Sequence, residues 1–426
     1  MIKILEYGKV KNEEIFSRAV PAVNVEKIVA DIIENVKNNG DKALKEYCEK
    51  FDGAHLLTLK VSEEEIAEAF NSVGEEFIGI LKHAEKNITE FHKHQKREGF
   101  EFINPDGATV GQKITPVAVA GIYVPAGTAA YPSTVLMDAI PAKIAGVNKI
   151  VMTTPSKGGK IAPEILAAAK IAGVDEIYKV GGAQAIAALA FGTESVPKAD
   201  KIVGPGNAYV AEAKKQVFGK VSIDMIAGPS EILVVADKDN NPAFVAADLL
   251  SQAEHDKMAS AVLITDDKKF ADCVSEQIEI RIKELERYDI ARASIDNNGK
   301  IIVVNDIEKA MEVANEIAPE HLEICVKNAE KYLGNVKNAG SVFLGKFTPE
   351  AVGDYMAGPN HTLPTMGTAK FSSPLSVDDF IKKTQYIFYD EKALMEICDK
   401  VAVFAAREGL TAHAKSATVR KGEKNE

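Results

Sequence analysis

Four of the chain's eight histidines fall beyond position 250, each beside a carboxylate or in a Gly/Pro-rich loop. They lie in Gln252-Ala253-Glu254-His255, Pro319-Glu320-His321, Gly353-Asp354 through Asn360-His361, and Glu408 through His413. A neutral imidazole is both a common metal ligand and a base that titrates near neutral pH. Imidazole, carboxylate and amide oxygen together therefore suit a metal site with an acid/base pair. That combination points to an enzyme.

Gln252 and His255 stand three apart in a stretch with helical spacing, Val245 to His255, so they share a helix face and could hold one ion. A glutamine oxygen is an unusual zinc ligand, and the same pair also suits a solvated helix end. Asp354 sits in Gly353 to His361, whose Gly and Pro argue against regular structure; such loops carry function, although Asp354 and Asn360 also suit simple turn caps. Adjacent residues of a regular strand point to opposite faces, so Glu320 and His321 reach one site only if the chain turns at Pro319. A carboxylate there would raise the imidazole's pKa. Near the C-terminus, the sequence predicts a helix ending at Gly409 and another capped by Thr411, a break that would aim Glu408 and His413 together. Gly204-Pro205-Gly206-Asn207-Ala208-Tyr209 has the first two glycines of the dinucleotide fingerprint but tyrosine in the third place. Gly121 to Gly127 and Gly181-Gly182 follow predicted strands and could present N–H groups to an anion, or be ordinary strand-to-helix turns.

These residues need a scaffold. Apolar residues at three and four spacing predict a helical layer from Val25 to about Gln95. From Val117 the texture changes to short β-branched runs between Ala-rich helical segments: 117–124, 149–152, 176–180, 201–203, 232–236, 261–264, 301–304 and 341–344. This alternation predicts parallel sheets with crossover helices, in two doubly wound series of roughly 118–227 and 230–345 joined at Gly228-Pro229-Ser230. The tail from Ser376 to about Ala417 reads as a small unit of helices around a strand at Gln385 to Tyr389.

Composition narrows the function. A 426-residue chain with 46% hydrophobic and 27% charged residues is ordinary globular material, enough for about two to four domains. Its net charge of −11 repels phosphate backbones and anionic membranes, so neither nucleic acid nor a membrane is expected as a partner. Cys48, Cys273, Cys325 and Cys398 form no Cys-x-x-Cys pair and read as reduced cysteines of a cytoplasmic protein. The uncharged stretch Ile114 to Met137 contains Pro116, Pro125 and Pro132 and reads as strand, loop and helix start rather than a membrane span.

Taken together, the segments resemble the histidinol dehydrogenase family over nearly the whole chain. The most specific stretches are 204–210, 227–233, 252–255, 318–323, 353–361, 371–377 and 408–413. The resemblance implies NAD-dependent, four-electron oxidation of L-histidinol to L-histidine by way of histidinaldehyde, in histidine biosynthesis. It implies one zinc ion per subunit, held by Gln252, His255, Asp354 and a His413 supplied by the other subunit of a homodimer with shared active sites. Ser230 and Glu408 match substrate-binding positions, with the zinc ligands and His321 also facing substrate. Tyr123, Gln184 and Asn207 match NAD-binding positions, and Glu320 and His321 match the catalytic pair. The chain departs from the family pattern at Pro125-Ala126-Gly127, where a second glycine is usual, and at Met366.

The expected architecture is therefore α/β: two incomplete doubly wound, Rossmann-like domains, a helical N-terminal layer, and a small C-terminal domain exchanged in a homodimer. The expected boundaries are an extension over 1–20, a first α/β domain over 21–122 plus 230–373, an NAD-binding domain over 123–229, and a dimerisation domain over 374–426. The rival readings are a metal-dependent hydrolase or lyase on the same ligands and a catalytically silent homologue.

Overall fold

The computed structural model describes residues 1–18, 24–126 and 130–422. Near-continuous apolar runs such as Glu231–Ala236, buried at every position, suit strands covered on both faces, and these runs form two parallel sheets. The first has five strands in the spatial order Glu176–Tyr178, Lys149–Thr153, Val119–Tyr123, Lys201–Val203, Ser222–Ile223. The second has six strands in the order Lys3–Glu6, Lys300–Val303, Ser260–Thr265, Glu231–Ala236, His321–Cys325, Ser341–Leu344.

Leaving aside the N-terminal strand, both sheets wind in the same way: third, second, first, fourth, fifth in chain order. The order reverses between Val119–Tyr123 and Lys201–Val203 in one sheet, and between Glu231–Ala236 and His321–Cys325 in the other. Alternate side chains feed separate cores. Ile150 and Met152 join one cluster and Val151 another; Ile232 and Val234 likewise part from Leu233 and Val235. Each sheet is thus sandwiched between helices.

Helical segments Glu26–Asp52, broken by a kink at Gly40 (φ 51), Glu63–Ser72 and Glu75–Lys93 form the expected N-terminal layer. Their buried faces, including Val29 and Val36 on one side and Leu81 and Ile88 on the other, enter the two cores of the five-stranded sheet. Ser62 and Glu65 close a reciprocal capping box at the start of the second helix.

By packing, the chain divides into two units, Met1–Gln95 with Val117–Phe380, and Lys96–Pro116 with Ile381–Glu426. This corrects three expectations. Residues 96–116 do not belong with the first α/β domain. Thr109–Pro116 instead lies between Phe100–Ile103 and Ile381–Phe388 and pairs antiparallel with both, the second a partnership between segments too far apart in sequence for local patterning to reveal. The extension expected over 1–20 contributes to the main unit, because Lys3–Glu6 is the edge strand of the six-stranded sheet. The strand expected at 385–389 spans Ile381–Phe388.

In the smaller unit, helix Glu391–Arg407 is followed by Gly409 at φ 76 and then by helix Thr411–Thr418. Thr411 is the first residue of that helix and not its cap; Leu410 occupies the cap position. Among the described residues no helix is long and apolar enough to cross a membrane.

Candidate active site

The acid/base pair is built at the amino ends of the two strands where the six-stranded sheet reverses. Helix Ile307–Ile317 ends in Ala318, which takes the left-handed conformation (φ 50), and Pro319 then leads into the strand that opens with His321. This bend does what the sequence required of Pro319. Both side chains meet the backbone of Glu231 on the neighbouring strand: the Glu231 N–H donates to Glu320 Oε2 at 2.8 Å, and His321 Nδ1 lies 2.9 Å from the Glu231 carbonyl. A carbonyl only accepts, so Nδ1 carries a proton and Nε2 is the nitrogen at which a second proton is gained or lost. That Nε2 is buried and has no hydrogen-bond partner.

Three acidic groups surround the ring. Glu320 Oε2 is 3.7 Å from Nδ1, while Asp354 Oδ1 and Glu350 Oε1 lie 3.7 and 3.9 Å from Nε2. Burial pushes the His321 imidazole down, but these carboxylates more than reverse it and hold it well above its ordinary value. Burial raises Glu320 to about 8 against the pull of His321. The same burial raises Asp354, yet the imidazoles of His321 and His361 bring it down to about 2.

Gln252 and His255 come from the end of helix Pro242–Ala253, the helix that follows strand Glu231–Ala236. His255 lies just past that end, its N–H bonded to the Gln252 carbonyl at 3.1 Å. Gln252 is fully buried, and its Oε1 has no partner. Burial pushes His255 below its ordinary pKa, opposed by the charge of Asp354, which favours the neutral ligand form. Asp354 lies in a π-helical turn, Gly353–Ala357, where the sequence predicted no regular structure. Gly353 permits the turn to close on Phe343, since a Cβ there would collide with that ring. Wide turns of this kind recur at functional sites. An orphaned amide oxygen, a neutral imidazole and an ionised carboxylate form a donor set that fits a zinc ion. Among the described residues, the cluster of imidazole and carboxylate ligand atoms lying within 4.8 Å of one another is His321, Glu350 and Asp354, and His255 is not part of it.

His361 links this centre to the other sheet, its Nε2 lying 3.4 Å from Thr134 Oγ1 on helix Pro132–Ala145. The residues matched to NAD lie beyond the carboxyl ends of the five-stranded sheet, around the reversal of strand order where nucleotides bind in open α/β sheets. Tyr123 ends its strand buried, its hydroxyl accepting from the Gly182 N–H at 3.1 Å. Gln184 is also buried, in the first turn of helix Gly182–Phe191. Asn207 is exposed and caps helix Ala208–Val217, accepting from Tyr209 and Val210.

Before Asn207 stands Gly204, at φ 119, where a Cβ would strike the Tyr123 carbonyl. Lys214 Nζ donates to its carbonyl (2.9 Å), Asp224 Oδ2 accepts its N–H (2.8 Å), and Lys214 and Asp224 form a fully buried ion pair. Ala126 is described, whereas Gly127, the other half of the departure noted in the sequence, lies outside the described residues.

Ser230 is half-buried immediately before Glu231. Glu408 and His413 are exposed on the smaller unit. Sequence reasoning missed Glu350, which accepts from Gln252 Nε2, and Arg18, paired with Glu231 from 213 positions away. No local spacing marks either residue. Met366 holds a left-handed backbone (φ 56), and its N–H donates to Glu231 Oε1 at 3.2 Å.

A parallel sheet whose strand order reverses as in nucleotide-binding folds, and a buried Glu/His pair beside metal-type donors at the other sheet, suit an α/β oxidoreductase. The histidinol dehydrogenase family profile matches residues 17–421. A histidinol dehydrogenase of Clostridium acetobutylicum is 54% identical over 426 residues, covering 99% of each chain. One from Bacillus thuringiensis subsp. konkukian is 54% identical over 94% of this chain and 93% of its own. The crystal structure of histidinol dehydrogenase from Elizabethkingia anophelis superposes with a TM-score of 0.94 at 41% identity, covering 100% of this chain and 99% of that one. The chain belongs to the histidinol dehydrogenase family, NAD-dependent oxidoreductases of histidine biosynthesis.

Proposed function

We propose that this chain oxidises L-histidinol to L-histidine in two NAD-dependent steps, with His321 and Glu320 as its catalytic residues. The observation that carries this reading is the partnerless Nε2 of His321, whose ring the Glu231 peptide fixes. Gln252, His255, Asp354 and the partner subunit's His413 would hold one zinc ion. When bound, zinc would position the substrate's imidazole and amine, and NAD would provide the hydride acceptor.

His321 Nε2 removes the hydroxyl proton as the carbinol carbon loses hydride, giving histidinaldehyde and one reduced cofactor. Glu320 then assists addition of water to the aldehyde carbonyl. His321, having released its first proton to solvent, takes a proton from the resulting diol as the second hydride departs, leaving the carboxylic acid, which ionises to the carboxylate. Ser230 and the partner subunit's Glu408 are assigned to substrate, and Tyr123, Gln184 and Asn207 to NAD.

A homodimer with shared active sites is part of this reading. The smaller unit leaves Phe100, Phe102, Ile103, Ile387, Phe388 and Phe404 exposed, an apolar load suited to cover by a second copy. The four free cysteines, three of them buried, fit a cytoplasmic location.

The test is the number of NADH formed per L-histidinol when limiting substrate is run to completion with zinc-loaded protein. Two per substrate is expected; none from folded, loaded protein would overturn the reading in favour of hydrolase or silent-homologue function.

A further inference from the structure

We propose that Glu350 is a positioning residue that sets which end of the Gln252 amide faces the metal position. The inference rests on the reading of Gln252 as a ligand. A primary amide has a donor end and an acceptor end of nearly the same shape, so a glutamine ligand binds a cation only if something holds the NH2 end away from it. Glu350 is 3% exposed and does this at close range: its Oε1 accepts from Gln252 Nε2, and its Oε2 accepts from Ser251 Oγ at 3.1 Å. Both carboxyl oxygens therefore face donors. The remaining end of the amide, Oε1, is the buried atom without a partner.

Glu350 is itself anchored. Its backbone N–H donates to Glu323 Oε1 at 2.8 Å, on the strand that opens with His321, so the orienting carboxylate and the catalytic imidazole hang from one element. Its Oε1 lies 3.9 Å from His321 Nε2, which excludes a direct hydrogen bond there and leaves Gln252 as the closer partner.

Glu350→Gln keeps the shape but replaces two acceptors with an amide that can accept from either orientation of Gln252 or donate to it. Glu350→Asp keeps the acceptor-only carboxylate and its charge while shortening the reach. The experiment measures Zn2+ affinity of metal-stripped protein by competition with a chromophoric chelator, and the visible absorption of Co2+ in the same site, for wild type, E350D, E350Q, Q252A and E350Q/Q252A.

The expected order of affinity is wild type, E350D, E350Q, with E350Q weaker by about tenfold or more. The Co2+ band should change shape in E350Q and keep it in E350D. In the Q252A background E350Q should add no further loss, because the residue it acts through is gone. Wild-type affinity in E350Q, or E350D weaker than E350Q, would overturn the proposal. So would additive losses, which would mean that Glu350 acts by charge alone. If Q252A itself leaves zinc affinity unchanged, the ligand reading fails and takes the proposal with it; weakening in Q252A beside an unaffected E350Q sinks only the role of Glu350.

Discussion

The backbone of Glu231 offers its N–H to Glu320 and its carbonyl to His321, so the two proposed catalytic side chains are located by consecutive peptide groups of one strand residue. On the proposed division of labour, with His321 serving both oxidations and Glu320 the hydration between them, Glu320→Gln should slow oxidation of supplied histidinaldehyde more than the first hydride transfer from histidinol. Single-turnover NADH formation from each substrate checks this, and equal losses would count against the division of labour. A second residue-scale prediction concerns Asp138, fully buried with Oδ1 accepting from Thr362 Oγ1 and Oδ2 unpaired. Burial, aided by the charge of Asp224, raises its carboxyl well above the ordinary value. The folded protein therefore holds this proton over a range where the unfolded chain has lost it. The contribution to stability is present below about pH 4, the ordinary carboxylate pKa, and declines as pH rises toward the folded value. Asp138→Asn keeps the acceptor for Thr362, so denaturant unfolding should show stability at pH 7 no lower than wild type and a flatter pH dependence. A marked loss at pH 7 would mean that the ionised carboxylate stabilises the fold. At this scale the sequence was legible wherever chemistry repeats in short segments, as in Gln252-x-x-His255 or Glu320-His321. Glu350, Arg18 and Asp138 were illegible because their meaning comes from partners 98, 213 and 224 positions away.

Turns after strands do most of the positioning among the elements. The Gly204 turn is clasped at both its N–H and its carbonyl by Asp224 and Lys214, a pair closed off from water. Lys214→Met would leave Asp224 a buried charge without its counterion and should cost about 3–5 kcal/mol of stability. Measured where the variant is folded, affinity for NAD should fall more than affinity for histidinol, because the turn leads into Asn207. Equal loss for both ligands would argue against a local role. The strands around these turns were readable from sequence because burial on both faces demands β-branched runs without polar alternation. The π-helical turn holding Asp354 was not, since it depends on Gly353 closing against Phe343 rather than on any periodicity. Strands Phe100–Ile103 and Thr109–Pro116 were missed for a related reason: one has only four residues, the other is broken by polar residues and Gly111, and one of their partners is far away in the chain.

For the whole molecule, sharing of sites between copies makes a numerical prediction. His321→Ala and His413→Ala are each expected to be inactive, but in a mixed dimer one site joins an intact His321 to an intact His413. With free subunit exchange half the dimers are mixed and half of their sites are whole, so about one quarter of wild-type activity should return. Mixed dimers demonstrated by mass and still inactive would exclude the shared site.

Among the described residues, the edge strand Lys3–Glu6 has one strand partner, Lys300–Val303, almost three hundred residues later in the chain. A ribosome adding about 5–20 residues per second makes the first strand at least about fifteen seconds before the second exists. Throughout that time the early segment has no sheet to join. The six-stranded core therefore completes its edge late in synthesis, and the growing chain must keep its own beginning out of other pairings until its partner emerges.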